Sequence, residues 1–324
     1  MTLQHRRSDP LAGRLAPVAE VSFWSKAGPV TDVGAWSSTV DTVPADPAAI
    51  REVVTHLVLH YRRGNPAQHG TAPERLAEVD LRSARAMLDR LCARGTGLGE
   101  AGSPDARVVG CCRDFAVLFL AIARHHQIPS RARVGFATYF LPGWLLDHVV
   151  VELFDAGVGR WRLIDPQIED DFAPADGGRF DPLDVPRDRF LTGPKAWLEA
   201  RAGVREPDRF VVDPGLEIPG TRSWRHLRRN LLHDLSSLRK NEMLLWDAWG
   251  LMDSPRSPRG EEPAVLDHLA RLTADPLCPL ENIADWAGRP GFAVPATVTS
   301  YSPAAEGPRR VEVSALLDDE IELD

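Results

Sequence analysis

From Asp46 onward, apolar side chains recur at three- and four-residue spacing: Ile50, Val53, Val54, Leu57, Val58 and Tyr61 trace one face of a helix. Asp46-Pro47 supplies an N-cap followed by proline at the first helical position, and Gly64-Asn65-Pro66 ends the run. Ala84, Met87, Leu88 and Leu91 mark a second amphipathic helix over 81–93, broken by the glycine-rich stretch 95–102. Phe115, Leu118, Phe119 and Ile122 predict a third, opening at Cys112 and stopped by Pro129. The period then falls to two. Ala132, Val134, Phe136, Thr138 and Phe140 alternate with Arg131, Arg133, Gly135, Ala137 and Tyr139, the pattern of a strand. Two more strands, 148–154 and 161–165, flank Asp155-Ala156-Gly157-Val158, a link suited to a hairpin.

Periodicity fades beyond Pro166. Eight prolines fall between Pro166 and Pro219, so 176–222 reads as a Pro-rich connecting segment with one short helix near 195–202. Trp224, Leu227, Leu231, Leu235 and Leu238 restore helical spacing, which continues or restarts near Asn241 and runs to Gly250; 262–272 adds a further helix. The expected divisions are an N-terminal segment (1–45), a core (46–175), the connecting segment (176–222), a C-terminal helical region (223–317) and an acidic, solvated tail (318–324). The fold class is α+β: a central helix packed on an antiparallel sheet of at least three strands, helices to one side, with additional C-terminal helices.

With 324 residues, 44% of them hydrophobic, the chain can bury a full core. Its formal net charge of -8 gives no electrostatic reason to attract nucleic acid or an anionic membrane. The N-terminus lacks the apolar run of a secretory signal and no later stretch approaches a membrane span, so the expected location is the cytoplasm. Four cysteines (Cys92, Cys111, Cys112 and Cys278), two of them adjacent, are too few and too clustered for a secreted disulfide framework.

A thiol attacks carbonyls as thiolate, so a nucleophilic cysteine needs a helix N-terminus or a histidine to lower its pKa. Cys112 opens a helix after Gly110, which permits an unusual backbone there. The free first-turn N–H groups can activate the sulfur and also hold an oxyanion. If Asp155–Val158 is the hairpin loop, Phe154 pairs with Gly159 and, six residues outward, His148 faces Asp165. A carboxylate opposite an imidazole fixes its tautomer, and the imidazole draws the nucleophile's proton. A one-residue slip would place the two on opposite faces.

Four ordered motifs carry a resemblance: Arg107-Val-Val-Gly-Cys-Cys-Arg-Asp-Phe-Ala116, Gln127-Ile-Pro-Ser-Arg-Ala-Arg-Val-Gly-Phe136, Asp147-His-Val-Val-Val-Glu152 and Leu163-Ile-Asp-Pro166. Over roughly 107–167 the chain resembles the transglutaminase-like superfamily. That resemblance implies a papain-like core in which Cys112 is the nucleophile, His148 its base and Asp165 the group that orients the base. Cys111 stands where the family usually has another small or apolar residue, and Val-Val-Val after His148 replaces a frequent aromatic-containing version. The implied activity is acyl transfer from a peptide, amide or small acyl substrate to water or to an amine, with no cofactor. Gln167, Arg113 and Tyr139 are the candidate substrate contacts.

Other readings compete. A binding or scaffold protein could retain the fold without turnover. A redox role for Cys111 and Cys112 is disfavoured because bridged adjacent cysteines form a strained ring. His56 and His60 lie four apart, as in helical zinc sites, but lack a third ligand and the glutamate of the metalloprotease motif, so no metal is expected. His125 and His126 fit a helix C-terminus, and Arg131 and Arg133 fit paired or solvated arginines.

Overall fold

The computed structural model describes residues 18–99 and 102–317; the acidic tail and the first seventeen residues of the expected N-terminal segment lie outside them. In its first part it contains α1 (Val18–Phe23), α2 (Ser37–Val40), α3 (Pro47–Thr55), β1 (Val58–His60), α4 (Ala84–Ala93), β2 (Val108–Gly110) and α5 (Cys112–His125). The strands β3 (Ser130–Ala137), β4 (Leu145–Asp155), β5 (Arg160–Ile164) and β6 (Phe190–Thr192) follow, then α6 (Gly193–Arg201), β7 (Phe210–Val211) and α7 (Ser223–Leu238). Last come β8 (Asp247–Ala248), α8 (Glu262–Thr273), α9 (Leu280–Gly288), β9 (Thr297–Ser300) and β10 (Arg309–Glu312). The fold is α+β.

Asp46 caps α3 by accepting from the Ala49 N–H at 3.0 Å, and Ser83 caps α4 through the Ala86 N–H at 3.3 Å. The helix expected to reach Tyr61 stops at Thr55. Val58, Leu59 and His60 instead pair in parallel with Val108, Val109 and Gly110, a long-range pairing that local periodicity cannot register. Likewise, the stretch after Asn241 is not helical: it turns into β8, which pairs with β9.

Among the described residues, five strands form the central sheet, in the order β5-β4-β3-β6 with β7 beside β4. The proline-rich stretch thus supplies two of its strands. In one apolar cluster α5 packs Phe115, Phe119 and Ile122 against Ala132, Val134, Val149 and Val151, with α3 and α4 behind it. In a second, α6 to α9 gather Trp197, Leu231, Leu235, Leu269 and Trp286 around Phe136. Each such side chain contributes roughly 1.5–3 kcal/mol on burial. Because α5 lies between sheet and N-terminal helices, its residues are buried all round from Cys112 to Arg124, not on one stripe.

The β4–β5 hairpin differs from the simple count by two residues. Asp155 stays in β4 and pairs with Arg160, Phe154 with Trp161, and the turn is 156–159. The Asp155 carboxylate accepts the Gly157 N–H at 2.9 Å, and Gly159 takes a φ of 67°, a left-handed conformation that glycine adopts without strain. A shift of two preserves the faces that a shift of one would have exchanged.

Candidate active site

The N-terminus of α5 is built by three neighbouring residues. Asp114, in the first helical turn, reaches back to accept the Cys111 N–H at 2.7 Å, the carboxylate half of a capping box. Gly110 makes room for this: a Cβ there would lie 2.7 Å from the Asp114 carboxylate and 3.0 Å from Val58. Space, and not an unusual φ, is the reason for glycine at that position. Cys112 begins the helix proper and is buried.

His148 lies on β4 opposite Gly135 of β3. Asp165 is one residue past β5; since Ile164 pairs with Val151, Asp165 comes level with Val150 and meets His148 on the diagonal. Its Oδ2 lies 2.8 Å from His148 Nε2 and also accepts the Tyr139 hydroxyl at 2.5 Å, while Oδ1 accepts the Gln167 N–H at 3.0 Å. With Nε2 engaged, Nδ1 is the ring nitrogen left free of Asp165, and the Cys112 side chain lies near enough to act on the imidazole. Phe140, Tyr139 and Phe190 pack edgewise around the imidazole, with ring centroids 5.0, 6.1 and 6.2 Å away.

The electrostatics follow from these contacts. Hydrogen bonding from Cys111, against the opposing effect of burial, together with His148 and His60, holds the Cys112 thiol well below its ordinary range. Burial alone would discharge His148, but Asp165 and the sulfur of Cys112 outweigh it and raise the imidazole to about 10. Both shifts favour the thiolate–imidazolium form of the pair. Cys111 moves the other way, pushed up by the hydrogen bond to Cys112 and by burial. Tyr139 is pushed up as well, by burial and the Asp165 charge, so it remains a hydroxyl donor.

Cys112, His148 and Asp165 thus come together, and of the candidate substrate contacts only some stay near them. Tyr139 is fully buried and bonded to Asp165, so it supports the carboxylate and does not face a substrate. Arg113 is buried with its N–H groups bonded to the carbonyls of Leu81, Arg82 and Glu242 and to Asp114, which ties α5 to the C-terminal region. Gln167 remains beside Asp165, its Oε1 buried and without a partner.

His60 was the residue that periodicity misplaced. On β1, not on a helix, it no longer shares a helical face with His56, whose Nδ1 lies 2.7 Å from the Glu52 carbonyl. Instead His60 stands close enough to the Cys112 side chain to help hold its thiol below the ordinary range. The available signal was the continuous apolar run Leu57-Val58-Leu59, which suits a buried strand as well as a helix. Among the described residues, no cluster of three or more His, Cys, Asp or Glu side chains is placed to hold a metal.

Residues 101–166 match the model of the transglutaminase-like superfamily. The chain carries a transglutaminase-like domain. The match supports a thiol-dependent enzyme in general. A crystal structure of a candidate cysteine protease from Cytophaga hutchinsonii overlaps the chain with a TM-score of 0.34 at 16% identity, over 57% of this chain and 48% of that one. The matched part is about half of that protein's length. No curated protein matches the chain. Among the described residues, no helix is long and apolar enough to cross a membrane.

Proposed function

We propose that this transglutaminase-like domain is an acyl-transfer enzyme with Cys112 as nucleophile, His148 as general base and acid, and Asp165 as the group that orients His148. The observation that carries the reading is the chain of contacts from sulfur to imidazole to carboxylate, with Asp165 Oδ2 2.8 Å from His148 Nε2. The thiolate attacks an amide or ester carbonyl, and an Sγ–C bond forms while the carbonyl electrons move onto oxygen. Collapse expels the amine or alcohol, which takes its proton from His148. Water or an incoming amine then gives a proton to His148 and attacks the thioester, releasing the acid or a new amide and restoring the thiolate. Tyr139 and the Gln167 N–H keep the carboxylate aimed at the imidazole.

The test is the pH dependence of iodoacetamide labelling, with Cys111 and Cys112 resolved by fragment mass spectrometry. Rapid labelling of Cys112 near neutral pH, slowed and moved to higher pH in His148→Ala, supports the pair. Equal, slow labelling of both cysteines, indifferent to His148, would overturn the reading and favour a binding role for the fold. The acceptor is read by trapping the thioester and supplying water alone or a primary amine. The resting thiolate needs a reducing compartment, which fits the cytoplasm.

A further inference from the structure

His60 has a fixed chemical role in its setting. Its strand β1 runs parallel to β2, and His60 pairs with Gly110, two residues before Cys112. The Tyr61 N–H donates to the Gly110 carbonyl at 2.8 Å, which locks this register at its end. The chain then folds back so that the main-chain N–H groups of Arg62 and Arg63 both donate to His60 Nδ1, each at 3.2 Å. The Gly64 N–H closes the turn on the His60 carbonyl at 2.7 Å, and a Cβ at Gly64 would lie 2.8 Å from that oxygen.

A ring nitrogen that accepts two N–H bonds carries no proton, so the neutral imidazole has its hydrogen on Nε2. His60 is therefore a donor toward Cys112 and not a second base. The ring is held flat against Tyr61 at 5.4 Å with 13° between planes, and Tyr61 in turn meets the edge of Trp246 at 6.4 Å. Two histidines thus meet one sulfur with opposite tasks. His148 exchanges protons with the reacting groups; His60 offers a hydrogen it keeps.

We propose that His60 is a catalytic residue that donates a hydrogen bond to the oxyanion: its Nε2–H faces the sulfur in the resting protein and turns its hydrogen bond to the carbonyl oxygen as the Sγ–C bond forms. The main-chain N–H of Cys112, in the first helical turn, is the natural second donor. No proton moves from His60 in this step; only the acceptor of its hydrogen bond changes. The proposal rests on the acyl-transfer reading above.

Two probes of the full-length protein separate the roles. Iodoacetamide is attacked at a saturated carbon and develops no oxyanion, whereas p-nitrophenyl acetate is attacked at a carbonyl and does. Each rate at Cys112 is followed by intact-protein mass spectrometry on its pH plateau. In His60→Ala, acylation falls about 10²-fold more than alkylation, and His60→Gln, whose amide can donate, recovers part of the loss. Equal falls in both rates, or no fall in either, overturn the proposal and leave the acyl-transfer reading standing. Alkylation of the wild type without any acylation overturns both. Should the His60 variants not fold, ¹⁵N NMR of His60 in the wild type decides: a proton on Nε2 is expected, and a proton on Nδ1 sinks the assignment.

Discussion

The two ends of the β3–β4 pairing bury charge in opposite ways. At one end Arg131 pairs across the strands with Glu152, and Arg133 bridges Glu152 and Asp234 of α7 with contacts of 2.9 and 2.8 Å. Burial opposes the Glu152 charge, but Arg133, Arg131 and Arg187 hold its carboxyl well below the usual range. Every formal charge there has a partner that never leaves, so the cluster fastens α7 to the sheet. At the other end His148 faces Gly135, and the charged pair it forms includes a sulfur at a helix start. That sulfur can bond to something else. Both ends are paired and buried, and in the proposed function only the second contains a partner whose charge moves into a new covalent bond.

The largest effect separating the two ends is expected from Cys112→Ser, which lowers acylation by about 10⁴-fold or more without changing urea stability beyond about 1 kcal/mol. Full turnover in that variant would end the nucleophile assignment. Asp165→Asn comes next: the imidazole loses the carboxylate that orients and charges it, and acylation by p-nitrophenyl acetate drops about 10³-fold.

Asp234→Ala tests the other end. It strands the buried Arg133 guanidinium and lowers the unfolding free energy by about 3–5 kcal/mol in urea melts, while the acylation rate of the folded fraction stays within about threefold. A large loss of rate with intact stability would mean that the two ends are coupled.

The pH profile sharpens the contrast. A lowered thiol and an imidazole raised to about 10 mean that the thiolate persists as pH falls well below the ordinary thiol value and keeps its cationic partner until pH rises through about 10. Wild-type labelling is therefore nearly flat between about pH 7 and 8, where an ordinary thiol gains roughly tenfold. A tenfold rise across that interval would contradict the ion pair. The smallest change is expected from Tyr139→Phe, which removes one hydrogen bond from Asp165 and slows acylation roughly five- to tenfold, about 1 kcal/mol.

Much of the site is legible in local sequence because its parts obey local rules. The cap and apolar positions of α5 place Cys112 at a helix start, and the turn chemistry of Asp155 to Gly159 brings the strands of His148 and Asp165 side by side. The count missed their pairing by two, because the Asp155 side chain and a left-handed Gly159 set the turn one residue later. Their common face survived, since side chains on a strand repeat every second residue. His60 was not legible. A short apolar run satisfies helix and strand alike, and its partner strand lies some fifty residues away.

By itself, the sequence determined the order and type of the central elements, the place of Cys112 at a helix start and the alternation that turns His148 and Asp165 the same way. These are consequences of backbone periodicity, capping and turn stereochemistry, which act over a few residues. Only the tertiary structure decided that the proline-rich stretch adds strands to the central sheet, that Arg113 serves as an internal tie, that Tyr139 bonds Asp165 and that His60 stands beside Cys112. Those outcomes depend on which distant surfaces bury each other and which buried polar groups find partners, and such energies belong to the packed chain as a whole.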